Sequence, residues 1–201
     1  GAGKSTAVST VIEWLAEQGI NNVITTREPG GTPLAEKMRA IFKEDSKEDP
    51  LTDPAELMLI YAARSQLVEN VIKPALENGQ WVVGDRHDLS TLAYQGGGRG
   101  FDLQTLATLK QITIGEFKPD LTLLLDIAPA QGLQRAKKRG ELDRIEVQEM
   151  AFFERVDQVY QDYSAADGSI IAVDAGQELA YVKTQIRATL AEQLIVTSDN
   201  S

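Results

Sequence analysis

The feature that most constrains this chain is the alternation of short β-branched runs with longer amphipathic stretches. Four runs read as strands: Asn22–Thr26, Gln80–Gly84, Leu121–Asp126 and Ser169–Val173. Each is short and almost wholly apolar, as a strand covered on both faces should be. Between them, helical periodicity predicts helices over 4–18, 33–43, 54–77, 102–115, 129–139, 147–165 and 178–194. Strands alternating with helices of this length build a parallel sheet with helices on both faces. Gly19 and Gly79 read as helix stops, and Asp53 before Pro54 as an N-cap with proline at the first helical position. At 201 residues the pattern fits one domain over 1–195, followed by a flexible tail over 196–201.

In a parallel sheet, ligands collect beyond the carboxyl ends of the strands. Those positions are polar here: Arg27 and Glu28 follow the first run, Asp85 and Arg86 the second, and Asp174 the last. Composition narrows the ligand class. The chain has no cysteine and a single histidine, His87, which removes thiolate chemistry and argues against a zinc site. A formal net charge of −10 disfavours a grip on nucleic acid, so an anionic substrate must be held by local cations. No run approaches the roughly 20 apolar residues of a membrane span, and no signal sequence opens the chain, which reads as cytoplasmic.

Three clusters carry chemistry. Gly1-Ala2-Gly3-Lys4-Ser5-Thr6 matches the closing half of a P-loop, in which backbone N–H groups cradle phosphates, the lysine reaches the β and γ oxygens, and a hydroxyl ligates Mg²⁺. The pattern's first glycine, and the strand that enters the loop, would precede Gly1. A glycine-rich helix start is the plainer alternative, and the α/β context strengthens the phosphate reading. Asp85-Arg86-His87 closes a strand, where Asp85 can hold Mg²⁺ or its waters and the planar Arg86 suits a phosphate. Alone, such a pair is a structural ion pair as readily as a site, and His87 reads as structural. Finally, Arg135 to Arg144 packs five cations into ten residues of an acidic chain. That run is either a solvated helix face or a lid over about 135–147, hinged at Gly140, that closes on ATP.

Together these residues resemble bacterial thymidylate kinase over essentially the whole chain. The specific pieces are Thr26-Arg-Glu-Pro-Gly-Gly-Thr32, Tyr61-Ala-Ala-Arg64, Asp85-Arg86-His87 with Ser90-Thr-Leu-Ala-Tyr-Gln95, Pro119-Asp120-Leu121, and Arg139-Gly-Glu-Leu-Asp-Arg144. The resemblance implies an α/β, P-loop NTPase-like three-layer sandwich whose parallel sheet has about five strands in the family, the first of them outside this chain. It implies transfer of the γ-phosphoryl of ATP to dTMP, with Mg²⁺ as cofactor and a homodimer as the assembled form. By position, Arg39 and Arg86 would hold the dTMP phosphate, Arg64 the thymine carbonyl, and Thr91 and Gln95 the base. Tyr94 would pack beside the deoxyribose, and Glu28 would lie near the phosphates and metal, with Ser5 and Asp85 as metal ligands. Ile60 stands where many relatives stack a phenylalanine on thymine.

Family members place a catalytic arginine either in the phosphate loop or in the lid. Gly1 occupies the loop position, so this chain resembles the lid type, with Arg139 as the cation that follows the migrating phosphoryl and Arg144 next. Two other classes share the phosphate chemistry. A kinase for another acceptor would differ only in the acceptor residues, and a nucleotide-binding protein without catalysis would keep the loop. A GTPase switch would need an Asn-Lys-x-Asp motif, which the chain lacks.

Overall fold

A computed structural model of the chain describes residues 1–140 and 143–194, the side chain of Arg139 excepted. The predicted tail over 196–201 and part of the predicted lid therefore lie outside the described residues. The strands are β1 (Val23–Arg27), β2 (Trp81–Asp85), β3 (Thr122–Asp126) and β4 (Ile170–Asp174). All lie within a residue or two of the predicted runs. β1 pairs with β2, and β3 with β4, both in parallel. The registers set Arg27 opposite Asp85 and Asp126 opposite Asp174, so the carboxyl ends within each pair finish level.

Helices cover both faces. On one side α1 (Lys4–Glu17) and α9 (Leu179–Leu194) pack Ala7, Trp14, Leu15, Ile186 and Leu190 with Val173 of β4, against Val83 of β2 and Leu123 and Leu125 of β3. On the other, Leu67, Val68, Ile72 and Ile114 pack against Val82. Adjacent residues Val82 and Val83 thus feed opposite cores, as the twofold side-chain period of a strand requires. The strands are less enclosed than their composition implies: only Leu124, Ile170 and Val173 among them are buried. The two pairs do not share a ladder, so β2 and β3 each lack a described neighbour on one side. Trp81 starts β2 and is 39% exposed, whereas Trp14 is in the core.

The remaining helices are α2 (Pro33–Lys43), α3 (Asp53–Leu67), α4 (Lys73–Glu77), α5 (Asp88–Thr91), α6 (Leu103–Thr113), α7 (Pro129–Arg139) and α8 (Met150–Ala166). The single helix expected over 54–77 is interrupted by a π turn over Val68–Ile72, in which Lys73 N–H reaches back to the Val68 carbonyl. Pro74 supplies the reason: without an N–H and with a ring crowding the carbonyl four residues earlier, it cannot continue a regular ladder, and widening the preceding turn relieves the clash. The N-cap of α3 is Thr52 rather than Asp53, its hydroxyl accepting from Ala55 N–H. A second helical segment was not expected at all. α5 runs into a π turn over Leu92–Gly98, a stretch whose three successive glycines disguise it as loop.

Candidate active site

The first loop sits at the start of α1. Gly3 is its N-cap with φ of +83°, a left-handed conformation that a side chain resists. A Cβ on Gly1 would come within 2.0 Å of the Gly132 carbonyl oxygen, so the loop lies tight against α7. Gly1, Ala2 and Lys4 line a cavity of about 510 Å³, while Gly3, Ser5 and Thr6 form the adjoining helix start without contributing to its wall. The same cavity takes in Glu28, Arg39, Ile60, Arg64, Asp85, Arg86, Thr91, Tyr94 and Gln95, residues from five separate stretches of chain.

Arg64 is anchored by three side-chain hydrogen bonds. It is 2% exposed, yet donates through Nε to Glu28 Oε2 at 2.6 Å, through Nη1 to Asp88 Oδ1 at 3.0 Å and through Nη2 to Thr91 Oγ1 at 2.8 Å. A guanidinium has five N–H groups, so donors remain for a ligand. Burial works against its charge, but Glu28 and Asp88 outweigh burial and raise its pKa. Glu28 shows the converse: burial would raise its pKa, and the Arg64 charge with the His87 hydrogen bond lowers it instead. The ionised Glu28 can only accept, so His87 Nδ1 donates to Glu28 Oε1 at 2.7 Å. His87, expected as structural, is thus a brace for Glu28.

Arg86 follows β2 with φ of +76°, in a region that non-glycine residues seldom occupy. Strain of this kind concentrates at functional sites. Its guanidinium carbon lies 5.0 Å from the centroid of the Tyr94 ring, and Nη1 reaches Ser90 Oγ at 3.4 Å. Ser90 in turn hydrogen bonds the Tyr160 hydroxyl at 3.1 Å, tying α8 to the site. Burial, opposed by the Arg86 charge, pushes the Tyr160 phenol up to about 12. Arg39 donates to the Pro29 carbonyl at 2.7 Å, which hooks α2 onto the loop after β1. Burial, with Arg27 nearby, lowers its pKa.

The cationic run divides. Arg135 donates to the carbonyls of Ala175 and Gly176 at 2.7 and 3.1 Å, a bracket between α7 and the loop after β4. Lys137 and Lys138 are exposed. The side chain of Arg139 lies outside the described residues. Arg144 is not brought to the main cavity: it lines a smaller neighbouring hollow, donates to Glu56 Oε2 at 2.6 Å and lies over the Phe42 ring. Glu56 itself escaped the sequence reading. It is fully buried in α3 and also accepts from Gln95 and Arg99. The only signal available was its spacing, four and eight residues before Ile60 and Arg64.

Among the described residues no group of three or more His, Cys, Asp or Glu side chains converges as a metal cage. The donors present suit a different arrangement. Asp85 Oδ1 is buried in the cavity wall without a hydrogen-bond partner, as an oxygen kept for a cation or its water would be. No helix is long and apolar enough to cross a membrane among the described residues.

A concavity with a glycine-lysine loop at one wall and a clamped arginine, a hydroxyl and an amide at the other can seat two phosphate-bearing nucleotides. The comparisons with known proteins agree with that geometry. The chain is similar to the crystal structure of thymidylate kinase from Ehrlichia chaffeensis, at 30% identity and a TM-score of 0.73, over 94% of this chain and 92% of that one. The thymidylate kinase family model matches residues 1–186, which include every residue named in the cavity wall, and the chain therefore belongs to the thymidylate kinase family.

Proposed function

We propose that this thymidylate kinase carries out its ATP-dependent phosphorylation of dTMP inside the 510 Å³ cavity, with Lys4 at the donor end and Arg64 at the acceptor end. The observation that carries this reading is that residues of both ends line one hollow, although they lie 60 positions apart in sequence. Gly1, Ala2, Gly3, Lys4, Ser5 and Thr6 bind the phosphates of ATP, through backbone N–H groups, the start of α1 and the Lys4 ammonium. Arg39 and Arg86 hold the dTMP phosphate. Arg86 is held in line by the Tyr94 ring and by Ser90. Tyr94 also covers the deoxyribose, and Ile60 forms the apolar wall on which thymine lies. Arg64, Thr91 and Gln95 meet the polar edge of the base.

Phosphoryl transfer needs positioning and charge neutralisation more than covalent help from the protein. Lys4 and Arg86 neutralise the donor and acceptor phosphates, whose repulsion would otherwise hold them apart. Residues 135–147 act as a lid that excludes water, with Arg139 as the cation that follows the moving group. Arg144 anchors the far end of that lid through Glu56. Magnesium, bound by the Ser5 hydroxyl and Asp85 directly or through water, would supply additional charge on the nucleotide oxygens. Glu28 serves through Arg64 and His87, whose orientations it sets.

The assembled form in this reading is a homodimer. Leu57, Ile60, Leu67 and Val68 are buried within the protomer. That leaves outward-facing Met58 of α3, with Leu34 and Ile41 of α2, at 51, 47 and 50% exposure, for a second copy. ADP release measured separately with dTMP, dUMP, AMP and GMP tests the acceptor assignment. Turnover should be highest with dTMP, and faster turnover of AMP or GMP would overturn the assignment.

A further inference from the structure

Glu56, Ile60 and Arg64 are spaced by four residues along α3, so they lie one above another on a single face of that helix. Ile60 and Arg64 line the cavity, and Glu56 lies behind its far end, fully buried. Three side chains converge on the Glu56 carboxylate. Gln95 Nε2 donates to Oε1 at 2.7 Å, and Arg99 and Arg144 donate to Oε2 at 2.9 and 2.6 Å. Burial opposes the Glu56 charge, but these donors outweigh it and hold the carboxyl below its usual range. An ionised carboxylate can only accept.

That restriction decides the orientation of Gln95. Its amide is planar, with a donor at one end and an acceptor at the other, and only the donor end can face Glu56. Gln95 is itself 3% exposed and lines the cavity. Its Oε1 therefore turns away from Glu56. The wall then presents a donor, Arg64, and an acceptor, Gln95, on either side of the apolar Ile60. A thymine ring offers the matching pair on adjacent atoms, O4 as acceptor and N3–H as donor. Cytosine offers the reverse, an amino donor at N4 and an acceptor at N3.

We propose that Glu56 is a specificity-positioning residue, which locks the Gln95 amide with its oxygen toward the base and so makes the pocket accept thymine and reject cytosine. It touches no substrate and acts through Gln95. The inference rests on the reading that Gln95 faces the base. A glutamine at position 56 could donate or accept, so it would let the Gln95 amide turn over and present N–H to cytosine N3.

The test is the ratio of kcat/KM for dTMP to that for dCMP in five proteins. The wild type should prefer dTMP strongly. Glu56→Gln should lower the ratio by about tenfold or more, the range expected for reversing one well-placed base contact. Arg99→Met removes another Glu56 partner but leaves the Gln95 contact, so it should lower thermal stability and keep the ratio. The exchange E56Q/Q95E places an acceptor-only carboxylate at 95 with a donor behind it, and should retain the preference, which also carries the test if Glu56→Gln does not fold. Gln95→Met separates the two levels of the claim. If it leaves the ratio unchanged, Gln95 does not read the base and the underlying assignment fails. If it lowers the ratio while Glu56→Gln does not, or if E56Q/Q95E loses the preference, the positioning role of Glu56 alone is overturned.

Discussion

Arg64 and Glu28 form a buried ion pair at 2.6 Å, with side-chain exposures of 2% and 4%, between the last turn of α3 and the loop after β1. Such a pair does not itself guarantee stability, since desolvation offsets much of the attraction, but removing one partner leaves a buried charge uncompensated.

Arg64→Ala should accordingly destabilise the fold by about 3 kcal/mol, because Glu28 and Asp88 both lose their guanidinium. It should also raise the KM for dTMP more than it lowers kcat, since the proposed contact to the base would exist before and during transfer. Urea melts and steady-state kinetics check the two effects separately. Arg64→Lys should recover part of the stability and little of the affinity, because one ammonium cannot span three acceptors held by Nε, Nη1 and Nη2.

The proposed lid cation has a different signature. Arg139→Ala should depress kcat by about a thousandfold while changing the KM values for ATP and dTMP by less than about threefold, because its charge partner develops in the transition state. A KM rise with unchanged kcat would assign Arg139 to ground-state binding instead. Arg144→Ala should act otherwise, since Arg144 is held at Glu56: lower thermal stability with a smaller loss of kcat, read from melting curves and turnover together.

Asp85→Asn tests the metal proposal. The buried Asp85 Oδ1 has no hydrogen-bond partner, so an amide there loses little within the protein itself. The Mg²⁺ concentration for half-maximal turnover should rise by about tenfold or more, with the melting temperature nearly unchanged. An equal loss at every Mg²⁺ concentration would point to a structural role.

Acid should weaken the fold through Glu28 and Glu56. Both carboxyls are held below 4.5 in the folded chain despite burial, by Arg64 and His87 in one case and by Arg99, Gln95 and Arg144 in the other. Because the folded values are the lower ones, their stabilisation is fully present above about pH 4.5 and is lost as pH falls through the folded values. In urea melts between about pH 7 and pH 3.5, the stability gap between wild type and Glu28→Gln should be widest near neutrality and shrink below pH 4.5. A gap constant across that range would exclude the linkage.

The strands, most helices and the glycine-rich turn into α1 were legible in the chain because they rest on local patterns. Apolar runs such as Trp81-Val-Val, glycine stops at Gly19 and Gly79, and the loop from Gly1 to Thr6 are each read within a few residues. The π turns were not, since they answer a conflict between neighbours: Pro74 in one, and Gly97 and Gly98 held against α8 by Phe152, Val159 and Arg155 in the other.

By itself the sequence determined which residue types were available and that an α/β fold would carry them to the carboxyl ends of its strands. Only the tertiary structure decided which cations face the cavity and which brace the fold. Arg135 and Arg144 belong to the same charged run, yet one is held by the carbonyls of Ala175 and Gly176 and the other by Glu56. Those acceptors lie 40, 41 and 88 residues away in sequence. A charge is a property of one residue, whereas its partner is set by packing between distant segments, and burial makes that partner compulsory.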